Sequence, residues 1–224
     1  GLDRKALESL DRFLETAGKK EQVPTDQCVF AHRLRAGALA RLERYDDAKE
    51  ALALTTRLAL DDHTTHLSRG VFLRNRGELE GAKASLEKAA QLMGQMNPDF
   101  RVIREVGFTY LAMGRDADAK YNLGAVIEHQ ASRGEHQQLD PEAAIALAAL
   151  HEKNGDFVEA SDLFRHLAVG FDTKNHFLYN FQSARLLSKS KGNRTLVERY
   201  LTRAEELAES EEQRGQLQQL RERL

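Results

Sequence analysis

The sequence predicts an all-α fold of stacked helix-turn-helix hairpins. Three observations predict it. Apolar residues recur at helical spacing through most of the chain. Gly77, Gly114, Gly155 and Gly192 stand 37, 41 and 37 residues apart, each between two such apolar stretches. Pro24, Pro98 and Pro141, the three prolines of the chain, all lie at or just before the start of the first helix of a hairpin. A missing N–H has no consequence there, because the first helical N–H groups have no intrahelical acceptor.

Composition points the same way. Of 224 residues, 41% are hydrophobic and 30% charged, with no Trp and only three Pro. Abundant Ala and Leu favour helix over sheet. The net charge of −2 gives no global attraction to nucleic acid or anionic lipid. The single cysteine, Cys28, excludes a disulfide within the chain. The longest apolar run, 143–150 (AAIALAAL), is far too short to cross a bilayer. The chain begins Gly-Leu-Asp with a helical pattern from the outset, which reads as a segment of a longer protein.

Residues 2–17 place Leu7, Leu10 and Leu14 on one face, and Gly18 is expected to end that leading helix (1–20). A hairpin over 27–60 follows, with Ala36 and Leu39 before the turn and Ala48 and Leu52 after it; Glu43 stands where later turns have Gly. The most regular hairpin spans 63–96, with Asp61 or Asp62 as its cap, and Ala48 to Ala82 is a period of 34 residues. Hairpins over 99–133, opened by Asn97-Pro98, and over 140–170, opened by Asp140-Pro141, repeat the pattern. A degenerate fifth over 175–208 keeps Ala184 and Leu187, and a last helix over 211–224 carries Leu217, Leu220 and Leu224 on one face. Residues 1–224 are thus expected to form one array. A lone hairpin cannot bury its apolar stripe, so neighbours must stack.

Residues 70–86 read G-x-x-L-x-x-x-G-x-x-x-x-A-x-x-x-L, residues 107–123 read G-x-x-Y-x-x-x-G-x-x-x-x-A-x-x-x-L, and residues 148–164 read A-x-x-H-x-x-x-G-x-x-x-x-A-x-x-x-F. With a 34-residue period, this resembles the tetratricopeptide repeat over roughly residues 27–208. The slot near the start of the first helix, usually aromatic in that family, holds His32, His66, Ile103 and Ala144. The resemblance implies a right-handed α-solenoid whose first helices line a concave groove.

In that register the groove residues are Arg33, Gly37 and Arg41; then Leu67, Val71, Arg74 and Asn75; then Arg101, Arg104, Phe108 and Leu111; and in the fourth repeat Ile145, Ala149 and Glu152. Arg33, Arg41, Arg74, Arg101 and Arg104 would form a basic stripe, with Leu67, Val71 and Phe108 as apolar contacts beside it. Such a surface suits a partner protein or peptide with an acidic, partly apolar segment, since guanidinium binds carboxylate bidentately. The competing reading is that these arginines are solvated or paired with carboxylates such as Glu43 and Glu105. The Lys and Asn that grip a C-terminal carboxylate in one subclass of the family are absent; Arg33, Gly37, Ser68 and Arg101 stand there instead.

Nothing in the sequence assembles a catalytic, cofactor or metal site. His63 and His66 are spaced i, i+3, but His66 recurs in the slot of His32, a packing place. His151 stands where the preceding repeat has Tyr110. Cys28 has no identifiable base, and no phosphate-binding glycine loop or nucleophile motif occurs. The reading is a non-catalytic protein-interaction scaffold without cofactor. Similarity to periplasmic arrays of bacterial envelope and exopolysaccharide-export assemblies favours the periplasm; a peptide-sensing region of a cytoplasmic regulator, or an appendage to an enzyme, are the alternatives.

Overall fold

The computed structural model describes residues 1–19, 24–94, 98–133, 139–170, 173–190 and 193–224. Among them are α-helices and one short 3₁₀ turn, and no strand. The chain divides into two compact units, Gly1–Gly114 and Arg115–Leu224.

The first unit holds α1 (Leu2–Lys19), α2 (Thr25–Arg41), α3 (Tyr45–Leu58), α4 (His63–Asn75), α5 (Leu79–Met93) and α6 (Phe100–Ala112). Each helix packs on the next, and α4 also touches α2 and α6, so first helices stand side by side. The second unit holds α7 (Asp116–Ser132), α8 (Pro141–Asn154), α9 (Phe157–Ala168), α10 (His176–Lys189), α11 (Arg194–Leu207) and α12 (Glu211–Arg221), with a 3₁₀ turn at Thr173–Asn175 before α10. Here α8 pairs with α9, α9 with α10 and α10 with α11.

The small residues mark the places of closest helix approach. Ala48, Ala82, Ala119 and Ala160 in the second helices are fully buried, as are Leu86 and Leu123 one turn further on. Gly70 shows the tightest fit. A Cβ there would lie 2.5 Å from Leu86 Cγ and 2.7 Å from its Cδ2, so α4 meets α5 at a distance only glycine permits. Burying a leucine such as Leu86 completely contributes about 1.5–3 kcal/mol.

Capping residues set the helix starts. Asp62 accepts from Thr64 N at 2.9 Å, Asp140 from Glu142 N and Ala143 N at 3.0 and 3.1 Å, and Asn193 from Thr195 N at 2.9 Å. Pro141 is the first helical residue of α8. Ser210 and Gln213 form a reciprocal capping box on α12.

Two local expectations are corrected. The helix with Asn97-Pro98 before it is capped by Asp99, whose carboxylate accepts from Arg101 N at 3.0 Å and so draws the start down to Phe100. The first helix continues through Gly18 to Lys19, because an exposed glycine does not break a helix without a competing cap. Asn97, Gly192 and most of segment 133–138, including His136, lie outside the described residues.

The turn glycines take the left-handed backbone that ends a first helix: φ is 75° at Gly77, 70° at Gly114 and 83° at Gly155. Glu43 adopts the same conformation, with φ 61°, in the turn between α2 and α3.

Candidate functional site

The side chains of α2 and α4 that face each other enclose a cavity of about 580 Å³ in the first unit. Arg33, Gly37, Arg41, Leu67, Val71 and Asn75 all line it, with Tyr45, Ser68 and Arg76. The i, i+4 spacing of Arg33, Gly37 and Arg41 puts them on one face of α2, and Leu67, Val71 and Asn75 stand likewise on α4. Leu67 and Val71 are half-buried and Asn75 is exposed. Gly37 opens the wall: a Cβ there would meet only Arg41, at 3.5 Å.

Each arginine around this cavity has a partner. Arg33 hydrogen-bonds to Thr64 and lies 3.6 Å from Asp62, with its guanidinium 5.6 Å from the Phe30 ring centroid. Burial acts to raise the Asp62 pKa, but hydrogen bonds from Thr64 and Thr65 and the charge of Arg33 bring it below the usual carboxylate value. Arg41 donates from Nε to Asp3 at 2.6 Å and so ties α2 to α1. Arg76 stacks on the Tyr45 ring at 4.0 Å and closes the turn end of the cavity.

A second cluster lies between α4 and α6. Glu105 is 8% exposed and accepts from Arg74 at 2.8 Å and also from Arg104. Both guanidinium groups sit over the Phe108 ring, at 5.7 and 4.7 Å. Arg101 is separate from this cluster. It folds back on the helix cap, with Nε 2.9 Å and Nη2 2.6 Å from Asp99, and that pairing holds the Asp99 carboxyl down to about 2.

Apart from Gly37, which lines the cavity, and Leu111, which is half-buried on α6, the groove residues expected in the first three repeats fall into three groups. Arg33, Arg41, Leu67, Val71 and Asn75 share one cavity; Arg74, Arg104 and Phe108 form a closed ionic and aromatic cluster; Arg101 belongs to a cap. Among the described residues Asp3, Asp62, Asp99 and the shared Glu105 pair with these five arginines. Periodicity places residues on a face but says nothing of partners 29 to 38 positions away, so Asp3 and the Tyr45–Arg76 stack had no signal in the pattern. In the second unit, Glu152 on α8 takes both nitrogens of Arg185 at 2.7 Å and Lys189 at 2.8 Å, and its pKa falls to about 2 on account of the Arg185 hydrogen bonds first. Ile145 is 39% exposed beside it on the same helix.

The histidines are engaged separately. His63 Nε2 lies 3.2 Å from Asp99, His66 Nε2 lies 2.9 Å from the Leu60 carbonyl, and His151 Nδ1 lies 3.2 Å from Asp156. His63 and His66 thus address different partners rather than one point.

No family model and no curated protein sequence matches the chain. Solved structures do. YrrB, described as a tetratricopeptide-repeat protein with an unusual peptide-binding site, is similar at a TM-score of 0.63 and 15% identity, over 92% of this chain and 96% of that one. PilW, described as a widely conserved type IV pilus biogenesis factor, gives 0.65 and 18%, over 97% and 90%. A signal-transduction ATPase from Pyrococcus horikoshii with a tetratricopeptide-repeat sensor gives 0.71 and 16%, over 94% of this chain but 34% of that one. These likenesses are of fold: the chain has the all-α helical-repeat fold of tetratricopeptide-repeat proteins.

Proposed function

We propose that this chain is a non-catalytic interaction scaffold that holds a segment of a partner protein in the groove between α2 and α4. Gly37 carries the reading. It lies in the interior of α2, where glycine costs about 0.5–1 kcal/mol relative to alanine. Its φ is not positive and no neighbour crowds it, so neither backbone geometry nor packing calls for glycine. What glycine supplies there is room in the wall of a cavity of about 580 Å³, a size that suits a short peptide stretch or a few anchoring side chains.

The lining sets the partner's chemistry. Leu67, Val71 and Tyr45 offer apolar contact, and Arg33, Arg41 and Arg76 surround it. An acidic, partly apolar segment meets both demands. Its carboxylates would take over Arg41 from Asp3 and Arg33 from Asp62, exchanging one partner for another rather than pairing idle charges. The peptide-binding site named for YrrB supports a peptide as ligand. The pilus role named for PilW supports, as the setting, a bacterial surface or export assembly, with the periplasm ahead of the cytoplasm.

The test is fluorescence anisotropy with a labelled peptide of Leu-Glu-Glu repeats. Gly37→Leu fills the cavity and Arg41→Glu reverses its rim. Gly37→Leu should melt within a degree or two of the parent, Arg41→Glu lower because it sets a second carboxylate against Asp3 without unfolding the chain, and both should weaken binding about tenfold or more. Unchanged affinity in Gly37→Leu would remove the groove from consideration.

A further inference from the structure

A second cleft in the first unit differs from the groove in its charges. It lies between α3 and α5 with α4 at its floor, and encloses about 430 Å³. Leu52, Phe72 and Leu73 form the apolar base, and Leu60, 61% exposed, stands at the edge. Lys49, Arg57, Arg69 and Glu78 line it as well.

The arginines of the inner groove are spoken for, while those of this cleft are not. Among the described residues neither Arg57 nor Arg69 has a carboxylate partner or a hydrogen bond from its side chain, and both are exposed. Lys49 lies 3.7 Å from Glu78. Three cations thus share the cleft with one carboxylate, a local excess of two. Elsewhere the chain pairs its clefted arginines, as at Arg33, Arg41, Arg74, Arg104 and Arg185.

Gly81 adds a second, independent observation. It sits in the first turn of α5, with ordinary helical backbone and no positive φ to call for glycine. A Cβ there would meet Leu73 Cδ1 at 3.3 Å, and any longer side chain would enter the cleft that Gly81 lines. The corresponding position before the buried alanine is Asp47 in the first hairpin, Asp118 in the third and Glu159 in the fourth. The second hairpin alone among these replaces an acidic side chain with none. Glycine at that place leaves the cleft open beside Leu73 and adds no carboxylate to its rim.

We propose that the cleft between α3 and α5 is a second docking surface, which takes an acidic segment of a partner protein with one apolar anchor. The anchor rests on Leu60, Phe72 and Leu73, and its flanking carboxylates pair with Arg57 and Arg69. Charge complementarity selects the occupant: an excess of two cations over an apolar floor disfavours a basic or purely apolar segment. Leu52 and Phe72 line both this cleft and the inner groove, while the cations Lys49, Arg57 and Arg69 belong to the cleft alone.

Amide NMR of the full chain, titrated with the Leu-Glu-Glu repeat peptide, reads both surfaces in one experiment. The expected result is a set of shifts at Ala53, Arg69 and Gly81, lost in an Arg57→Glu/Arg69→Glu variant and in Gly81→Leu, and about tenfold weaker with the Leu-Gln-Gln peptide. The double charge reversal lies on exposed positions and keeps the fold, so it remains informative if Gly81→Leu does not fold. Shifts confined to Gly37, Leu67 and Val71 would overturn the second surface and leave the groove standing. Equal binding of the Leu-Gln-Gln peptide at Gly81, or binding to phosphatidylserine vesicles without binding to the peptide, would overturn it too.

Discussion

Two helical glycines, Gly37 and Gly70, face opposite fates on substitution by alanine. Both lie inside first helices, and alanine gains about 0.5–1 kcal/mol of helix propensity at either place. At Gly37 nothing opposes that gain, because the added methyl meets only the end of Arg41 at 3.5 Å. At Gly70 the methyl would lie 2.5 and 2.7 Å from two atoms of Leu86, and 3.3 Å from the Ala82 carbonyl. Leu86 is fully buried and has little space to retreat into. Overpacking costs about 1–3 kcal/mol, and contacts this short belong at the upper end. The net is a loss of about 2 kcal/mol for Gly70→Ala against a gain of about 1 kcal/mol for Gly37→Ala. At about 2–4 °C per kcal/mol for a chain of this size, Gly70→Ala should melt about 4–8 °C lower than the parent and Gly37→Ala about 2–4 °C higher. Scanning calorimetry of the three proteins side by side decides the matter. If Gly70→Ala melts at or above the parent, α5 can yield by several tenths of an ångström, and close helix approach is not what calls for glycine at that position.

Three further outcomes follow from the same geometry. Glu43→Gly relieves a left-handed residue that costs about 1 kcal/mol or more, less the entropy that glycine adds to the unfolded chain, and should raise the urea midpoint by the equivalent of about 0.5 kcal/mol; a lowered midpoint would mean that the Glu43 side chain makes a compensating contact. Glu105→Gln removes the carboxylate that Arg74 and Arg104 share, and should cost about 2–3 kcal/mol by chemical denaturation while strengthening binding of an acidic peptide at α4 and α6; full stability in that variant would show the cluster to be dispensable. Acid should act in two stages. His32 has its pKa lowered from 6.5 by burial first and by Arg35 second, so the unfolded chain takes up the proton more readily and stability declines as pH falls below about 6.5. Asp99 and Glu152 have pKa values brought down to about 2 from 3.8 and 4.5, so their stabilisation is complete above those unfolded values and is lost as pH falls from about 4.5 toward 2. Melting temperature against pH for the parent and for His32→Leu separates the two stages, since only the first should vanish in the variant.

Much of the fold was legible in the sequence because its causes are local. The φ of Gly77, Gly114 and Gly155, the cap at Asp62 and the first helical place of Pro141 depend on a few consecutive residues, and so does the face on which Arg33, Gly37 and Arg41 stand. The buried places of Ala48, Ala82 and Leu86 follow from a period that any stack of hairpins must obey. Where a neighbour competed for the same role, local reading was less exact: Asp99 outcompeted Asn97-Pro98 as the start of α6, because a carboxylate can reach the free N–H groups that proline only avoids.

Charge was decided by the tertiary structure. A row of arginines on one face of the pattern reads as a basic stripe, but Asp3 comes to Arg41 from α1, Asp62 to Arg33 from the cap of α4 and Glu105 to Arg74 from α6, while Arg101 and Arg104 pair within their own helix and its cap; together these cancel most of it. Arg57 and Arg69, which no groove register selects, have no carboxylate partner among the described residues. The same holds for glycine. Gly37, Gly70 and Gly81 are indistinguishable as letters in helical stretches; only the atoms opposite them show that Gly70 and, less severely, Gly81 permit close contact, while Gly37 leaves space. The physical reason is common to both cases. Helix period and turn conformation are set by backbone sterics over a few residues, whereas ion pairing and free volume depend on which side chains the stacking brings within a few ångströms.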